Sequence, residues 1–246
     1  MKYQVIANEI SVKTKGGYIY GKTFAPEGTG DKMPDKIPAM ILSHGYNSSH
    51  EDVSDLASAL AEQGVYACCY DFRGGSVRSK SSGSSTEMSI QSEIDDLRAV
   101  IAHIEALDFV DIEKIYLYGE SQGGFVSALT ADEKIKGLYL LYPAFCIPDN
   151  WEGRTIEVEA DFMGMTLSNR FCEGLPGYDV FEHIKKYSGT VKIYHGDSDK
   201  LVSLPYAQKA AESFKNAELI VFGGEGHGFS SSARKKLVDL ICSDFA

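Results

Sequence analysis

The chain has 246 residues with 24 Lys+Arg against 35 Asp+Glu, a formal net charge of −11, and that acidic balance argues against a nucleic-acid partner, since phosphate recognition starts from a basic surface. A hydrophobic share of 43% and an aromatic share of 11% are enough to bury a large core, which excludes disordered, collagen-like and coiled-coil classes, and the length still fits one α/β domain. The first residues, MKYQVIANEISVKTKGG, break any apolar stretch with charges, and no run approaches the ~20 apolar residues of a membrane span. The expectation is a cytoplasmic protein, monomer or homodimer, with no membrane insertion.

Short β-branched and aromatic runs alternate with longer segments of helical period. That order predicts parallel strands joined by crossover helices. The strands are expected at 18–24, 39–43, 65–70, 114–118, 137–142, 191–195 and 218–222. Several are apolar almost throughout, as strands covered on both faces should be. Ile90, Ile94, Leu97, Ile101, Ile104 and Leu107 recur at steps of three and four, which puts them on one helix face. Further helices are expected near 53–63, 206–215 and 233–243.

The five cysteines, Cys68, Cys69, Cys146, Cys172 and Cys242, show no C-x-x-C or Cys/His ligand spacing. They read as ordinary buried thiols, with Cys68 and Cys69 on opposite faces of one strand. No metal or other cofactor is expected. The Ser/Gly-rich stretch 73–86, with Arg73, Arg78 and Lys80, reads as a solvated connection. The stretch 143–189 is far longer than the ~20 residues a one-helix crossover needs. It reads as an inserted lid, with 1–142 and 190–246 forming the core. Within it, alternation over 155–159 and the run after Gly164 suggest a small hairpin.

Gly119-Glu120-Ser121-Gln122-Gly123 follows an expected strand and opens a helical segment. Small residues on either side of the serine suit a sharp strand-to-helix turn, where backbone segments come very close. A serine hydroxyl is a weak nucleophile without a base, so an acid and a histidine should follow in that order. Asp197 and Asp199 stand after the strand at 191–195, and His227 stands between glycines after the strand at 218–222. Loops at the carboxyl ends of strands are where ligands meet an open α/β sheet. From the residues alone, either aspartate could orient the imidazole. An oxyanion needs two backbone donors; the amides of Gln122 and of Tyr46, in Ser43-His44-Gly45-Tyr46-Asn47, are the candidates, with His44 bracing the loop. His50, His103 and His183 have no such context.

Together with Asp71-Phe72-Arg73-Gly74, these motifs make the chain resemble the α/β-hydrolases from about residue 18 to the C-terminus. The resemblance implies an α/β-hydrolase fold with a mostly parallel sheet and a small inserted lid. It implies Ser121, Asp199 and His227 as catalytic residues, because G-x-x-D-x-x-V selects Asp199. Size and lid position are similar to the bacterial cinnamoyl (feruloyl) esterases and the monoacylglycerol-lipase-like hydrolases. That likeness implies a small-molecule ester substrate, with Asp149 contacting its phenolic hydroxyl; Trp151 in the insert and Phe229 beside His227 are further candidate substrate contacts. The expected activity is cleavage of hydroxycinnamoyl esters through an acyl-enzyme. A lipase or thioesterase for aliphatic acyl groups is the rival, a peptidase the third reading, and a binding module without catalysis the alternative from another class.

Overall fold

The computed structural model describes residues 2–28, 36–156 and 159–246. Its main sheet has eight strands in the order β1-β2-β4-β3-β5-β6-β9-β10. These are β1 (Val5–Thr14), β2 (Gly17–Pro26), β3 (Ile37–Ser43), β4 (Tyr66–Tyr70), β5 (Val110–Glu120), β6 (Ile135–Leu141), β9 (Thr190–Gly196) and β10 (Ala217–Phe222). From β4 onward every pairing is parallel, while β1 and β2 are antiparallel to their neighbours. The expected strands all form, with shifted ends.

β1 was not foreseen. It is a mostly exposed edge strand with polar residues at half of its positions, so it has neither the apolar run nor the clean alternation that identifies a strand. Its register with β2 through the Lys15-Gly16 turn supplies the ordering.

Helices cover both faces. α1 (Ser54–Glu62) and α7 (Ser231–Ser243) lie on one side, while α2 (Ile90–Glu105), α3 (Gln122–Thr130), α5 (Val180–Ile184) and α6 (Leu204–Ser213) lie on the other. Period-two alternation divides the core between them. Ala39, Ile41 and Cys68 face the α2/α3 side, and Met40, Leu42 and Cys69 face α1. All five cysteines are buried free thiols.

The stretch 73–86 is stitched to its surroundings, contrary to the solvated connection expected. Ser82 N–H donates to the Tyr18 carbonyl at 3.0 Å, Tyr20 N–H donates to Ser81 Oγ at 2.8 Å, and Arg73 Nε donates to the buried Asp96 at 2.6 Å. Serines in such a loop supply hydrogen bonds to the β2 backbone beyond its pairing with β4, which would otherwise need water.

β6 and β9 are neighbours in the sheet, yet residues 142–189 separate them. That connection holds the short helix α4 (Ile147–Trp151), the hairpin β7 (Ala160–Phe162) with β8 (Met165–Leu167), and α5. The second hairpin strand lies where expected. The first is displaced from 155–159 to 160–162, because the turn forms at Met163-Gly164, both at positive φ, and a tight turn needs its strands directly beside it. Glu157 and Val158 lie outside the described residues. The insert does not pack by itself: Met165, Leu167, Phe171, Cys172 and Leu175 merge into the core on the α2/α3 side.

Candidate active site

Ser121 sits between β5 and α3 with φ 51° and ψ −116°, a conformation that costs a residue with a side chain ~1–3 kcal/mol and persists only where the surroundings enforce it. The flanking glycines show what enforces it. A Cβ on Gly119 would lie 2.3 Å from the Gly123 carbonyl oxygen, and one on Gly123 would lie 2.3 Å from the His44 carbonyl oxygen. Only bare backbone fits there. Ser121 is also tied by its own amide to the Leu141 carbonyl (2.9 Å), while its carbonyl accepts from Phe125 and Ala144.

Two loops from the sheet's carboxyl edge reach the serine. His227 Nε2 lies 3.0 Å from Ser121 Oγ, and His227 Nδ1 lies 2.8 Å from Asp199 Oδ2. The other Asp199 oxygen accepts from the amides of Leu201 (2.8 Å) and Val202 (2.9 Å), so the carboxylate is fixed by backbone on one side and free to orient imidazole on the other. Asp197 is exposed and accepts from the Gly224 amide at 2.7 Å; it ties two loops together and does not meet His227. Of the two aspartates, Asp199 is the buried one and the one that meets the imidazole.

His44 braces the loop after β3. Its Nδ1 donates to the Gly45 carbonyl at 2.7 Å and its Nε2 accepts from the Phe72 amide at 3.2 Å. One donating and one accepting nitrogen define a neutral ring. Burial pushes its pKa down, in the same direction. Gly45 passes close to the serine, where a Cβ would lie 3.4 Å from Ser121 Cβ. The Gln122 amide is the first N–H of α3 and so has no acceptor within the helix. Tyr46 and Gln122 both border the space in front of Ser121.

That space is a cavity of about 270 Å³. Tyr46, Trp151, Phe162 and Phe171 give it an aromatic wall, Ile147, Met163, Leu201 and Val202 add aliphatic surface, and Asn150 and Arg154 are polar. Tyr46 joins insert to core: its hydroxyl donates to the Phe162 carbonyl at 2.6 Å, and its ring packs edge-on against Phe162 and Phe171. Trp151 packs against the same two rings.

Two expected substrate contacts do not line this cavity. Asp149 does not border this cavity; its Oδ2 accepts from Tyr206 Oη at 2.7 Å on the other side of α4. Successive helical residues are ~100° apart, so Ile147, Asn150 and Trp151 face the serine and Asp149 cannot. Phe229 is also absent from the cavity wall. The turn at Gly228, φ 80°, sends it into the core on the α7 side against Tyr142 and Phe222.

Several supports were not singled out in the sequence. Arg234 on α7 grips both oxygens of Glu120, at 2.5 and 2.8 Å, and donates to Tyr142 Oη at 2.9 Å. The Tyr142 ring lies 4.4 Å, centroid to centroid, from the His227 ring. His195 is fully buried beneath Asp199, with Nε2 on the Val202 carbonyl at 2.8 Å. Burial pushes its pKa down. Nothing local marks these residues, because each gains its role from a partner distant in sequence.

A mostly parallel sheet with a strained serine at the end of a central strand and a histidine and acid on later loops defines the α/β-hydrolase class. Residues 35–176 match the profile of the family described as serine aminopeptidase, S33, and the chain belongs to that family of hydrolases. Among solved structures, ferulic acid-bound Est1E from Butyrivibrio proteoclasticus superposes with a TM-score of 0.82, at 24% identity over 96% of each chain. The acetyl xylan esterase from Paenibacillus sp. R4 superposes with a TM-score of 0.70, at 15% identity over 100% of this chain and 90% of that one. No curated protein matches the sequence.

Proposed function

We propose that the protein is a serine carboxylic-ester hydrolase acting through an acyl-enzyme, and that its substrates carry hydroxycinnamoyl-type acyl groups. The observation that carries the reaction class is the continuous relay from Asp199 Oδ2 through His227 to Ser121 Oγ, at 2.8 and 3.0 Å. Ser121 Oγ attacks the ester carbonyl as His227 Nε2 takes its proton. The oxyanion accepts hydrogen bonds from the amides of Gln122 and Tyr46, and Asp199 stabilises the imidazolium. The imidazolium then protonates the leaving alcohol. Water repeats the sequence, with His227 as base, and releases the acid and free Ser121. Neither a metal nor a cofactor has a part in these steps.

The acyl preference is supported by the aromatic wall of Tyr46, Trp151, Phe162 and Phe171 and by the fold shared with ferulic acid-bound Est1E. Residues 143–189 act in this reading as the lid that supplies that wall. A second reading, hydrolysis of aliphatic acyl esters, is favoured by Ile147, Met163, Leu201 and Val202 in the same cavity. Initial rates on methyl ferulate and on a medium-chain monoglyceride separate the two. We expect the higher kcat/KM on the ferulate, and no turnover of it would refute the cinnamoyl assignment. Fluorophosphonate labelling should disappear in Ser121→Ala; labelling that persisted would remove Ser121 as nucleophile.

A further inference from the structure

Glu93 stands in the first turn of α2 with 1% of its surface exposed. Both of its carboxyl oxygens meet Gln122 Nε2, at 2.9 and 2.8 Å. Gln122 is the residue whose amide is assigned to the oxyanion, so this carboxyl is one side chain away from that donor. An ionised carboxylate buried this deeply would call for a cation, yet among the described residues none pairs with it. Arg73, the guanidinium of the adjoining loop, is bound to Asp96 through its amide (2.8 Å) and its Nε (2.6 Å).

The groups that act on Glu93 come from its own helix and from three neighbouring elements. They are Asp96 on its own helix, Tyr70 of β4, Tyr46 of the loop after β3, and Gln122 of α3. The loop after β4 closes over it at Gly75, where a side-chain carbon would lie 3.5 Å from Oε1. None of these supplies a positive charge. Asp96 favours the neutral acid, whereas the hydrogen bond from Gln122 favours the ionised form.

We propose that Glu93 is a positioning residue, whose carboxyl anchors the Gln122 side chain and thereby holds the first turn of α3 with the Gln122 amide aimed at the oxyanion. The proposal rests on the serine-hydrolase reading above. Gln122 borders the cavity, so without an anchor its amide group could swing into the substrate's space. Charge matters as well as position: a negative carboxylate one side chain away from the oxyanion donor would oppose the charge that develops on the oxyanion, at a site where water screens little. Burial, reinforced by Asp96 and only partly offset by Gln122, pushes Glu93 up to about 8. At neutral pH the acid is therefore uncharged, and it ionises as pH rises past that point.

The triad base is active when deprotonated, so His227 alone predicts a plateau at high pH. Ionisation of Glu93 predicts a decline instead. The test is kcat and KM for p-nitrophenyl acetate from pH 6 to 10 in the wild-type protein, Glu93→Ala and Glu93→Gln. In the wild type, kcat should fall on the alkaline side with a midpoint near 8. Glu93→Ala should lower kcat by ~10–100-fold at pH 7 with little change in KM, below the 10²–10³ measured for outright loss of an oxyanion donor. Glu93→Gln should recover most of that loss, because its amide still pairs with Gln122, and should abolish the alkaline decline.

The proposal is overturned if Glu93→Ala keeps wild-type kcat, if Glu93→Gln is as impaired as Glu93→Ala, or if the alkaline decline survives in Glu93→Gln. Should Glu93→Ala fail to fold, the Glu93→Gln pH profile decides, and thermal unfolding adds a second measurement. A carboxyl raised in the folded state contributes stability that is full below its ordinary value and lost as pH rises toward 8. Wild-type Tm should therefore decline between pH 5 and 9 more steeply than that of Glu93→Gln, and parallel declines would count against the neutral acid. Absence of turnover in the wild type, or turnover surviving in Ser121→Ala, would instead sink the hydrolase reading itself, so the two failures are told apart.

Discussion

The turn around Ser121 and the insert at 143–189 meet in one cavity but are built on opposite terms. The turn is held by backbone: Gly119 and Gly123 leave no room for a Cβ against their neighbours' carbonyls, and Ser121 is fixed in a strained conformation by main-chain hydrogen bonds. The insert is held by side chains, with Tyr46, Trp151, Phe162 and Phe171 interlocking across elements. Chemistry set by backbone tolerates little change, whereas a wall made of rings can be altered one ring at a time. The difference teaches that reaction and specificity should respond separately to substitution.

The largest effect should come from the backbone-fixed side. Asp199→Asn is expected to lower kcat by about 10⁴, because the wrong imidazole tautomer then faces Ser121. Asp197→Asn should cost less than tenfold, since the Asp197 carboxylate accepts from the Gly224 amide and the Ser198 hydroxyl and does not meet His227. Steady-state kinetics on p-nitrophenyl acetate measure both, and equal losses would erase the distinction drawn between the aspartates.

A smaller and substrate-dependent effect is expected from Trp151→Ala. It should lower kcat/KM for a hydroxycinnamoyl ester by ~10–100-fold, the scale of lost apolar pocket contacts, while p-nitrophenyl acetate turnover changes by only a few-fold. If both substrates lost activity equally, the insert would be part of the catalytic framework and the comparison would fail.

The smallest effect tests the seam. Tyr46→Phe removes the hydroxyl that donates to the Phe162 carbonyl but keeps the ring and the amide. The expected cost is about 1 kcal/mol of stability, or ~2–4 °C in Tm for a domain of this size. A large fall in kcat would show that the seam also holds the oxyanion loop.

Much of the fold was legible because parallel strands covered on both faces are apolar runs and the helices between them keep a clear period. β1 escaped because an exposed edge strand has no such pattern and gains order only by pairing with β2. Among the candidate residues, Ser121 and His227 stood out because the turn and loop they occupy need glycines at fixed neighbours, whereas Asp199 was separated from Asp197 by the family resemblance alone. Asp149 and Phe229 lie off the cavity for a common reason: proximity in sequence does not say which way a side chain turns, and α4 and the Gly228 turn aim both away from it. Trp151 faces inward by the same helical geometry that turns Asp149 out.

By itself the sequence determined the alternation of strands and helices, the strained serine turn, and the order of serine, acid and histidine. Each of these depends on neighbours within a few residues, and local sterics act at that range. Tertiary structure decided what depends on partners far along the chain. It seated the insert's rings against Tyr46, bound Arg234 to Glu120 beside the ring that packs on His227, and placed Glu93 behind Gln122. Those contacts arise when loops and helices close over the sheet's carboxyl edge, and burial then gives a single hydrogen bond or charge its weight.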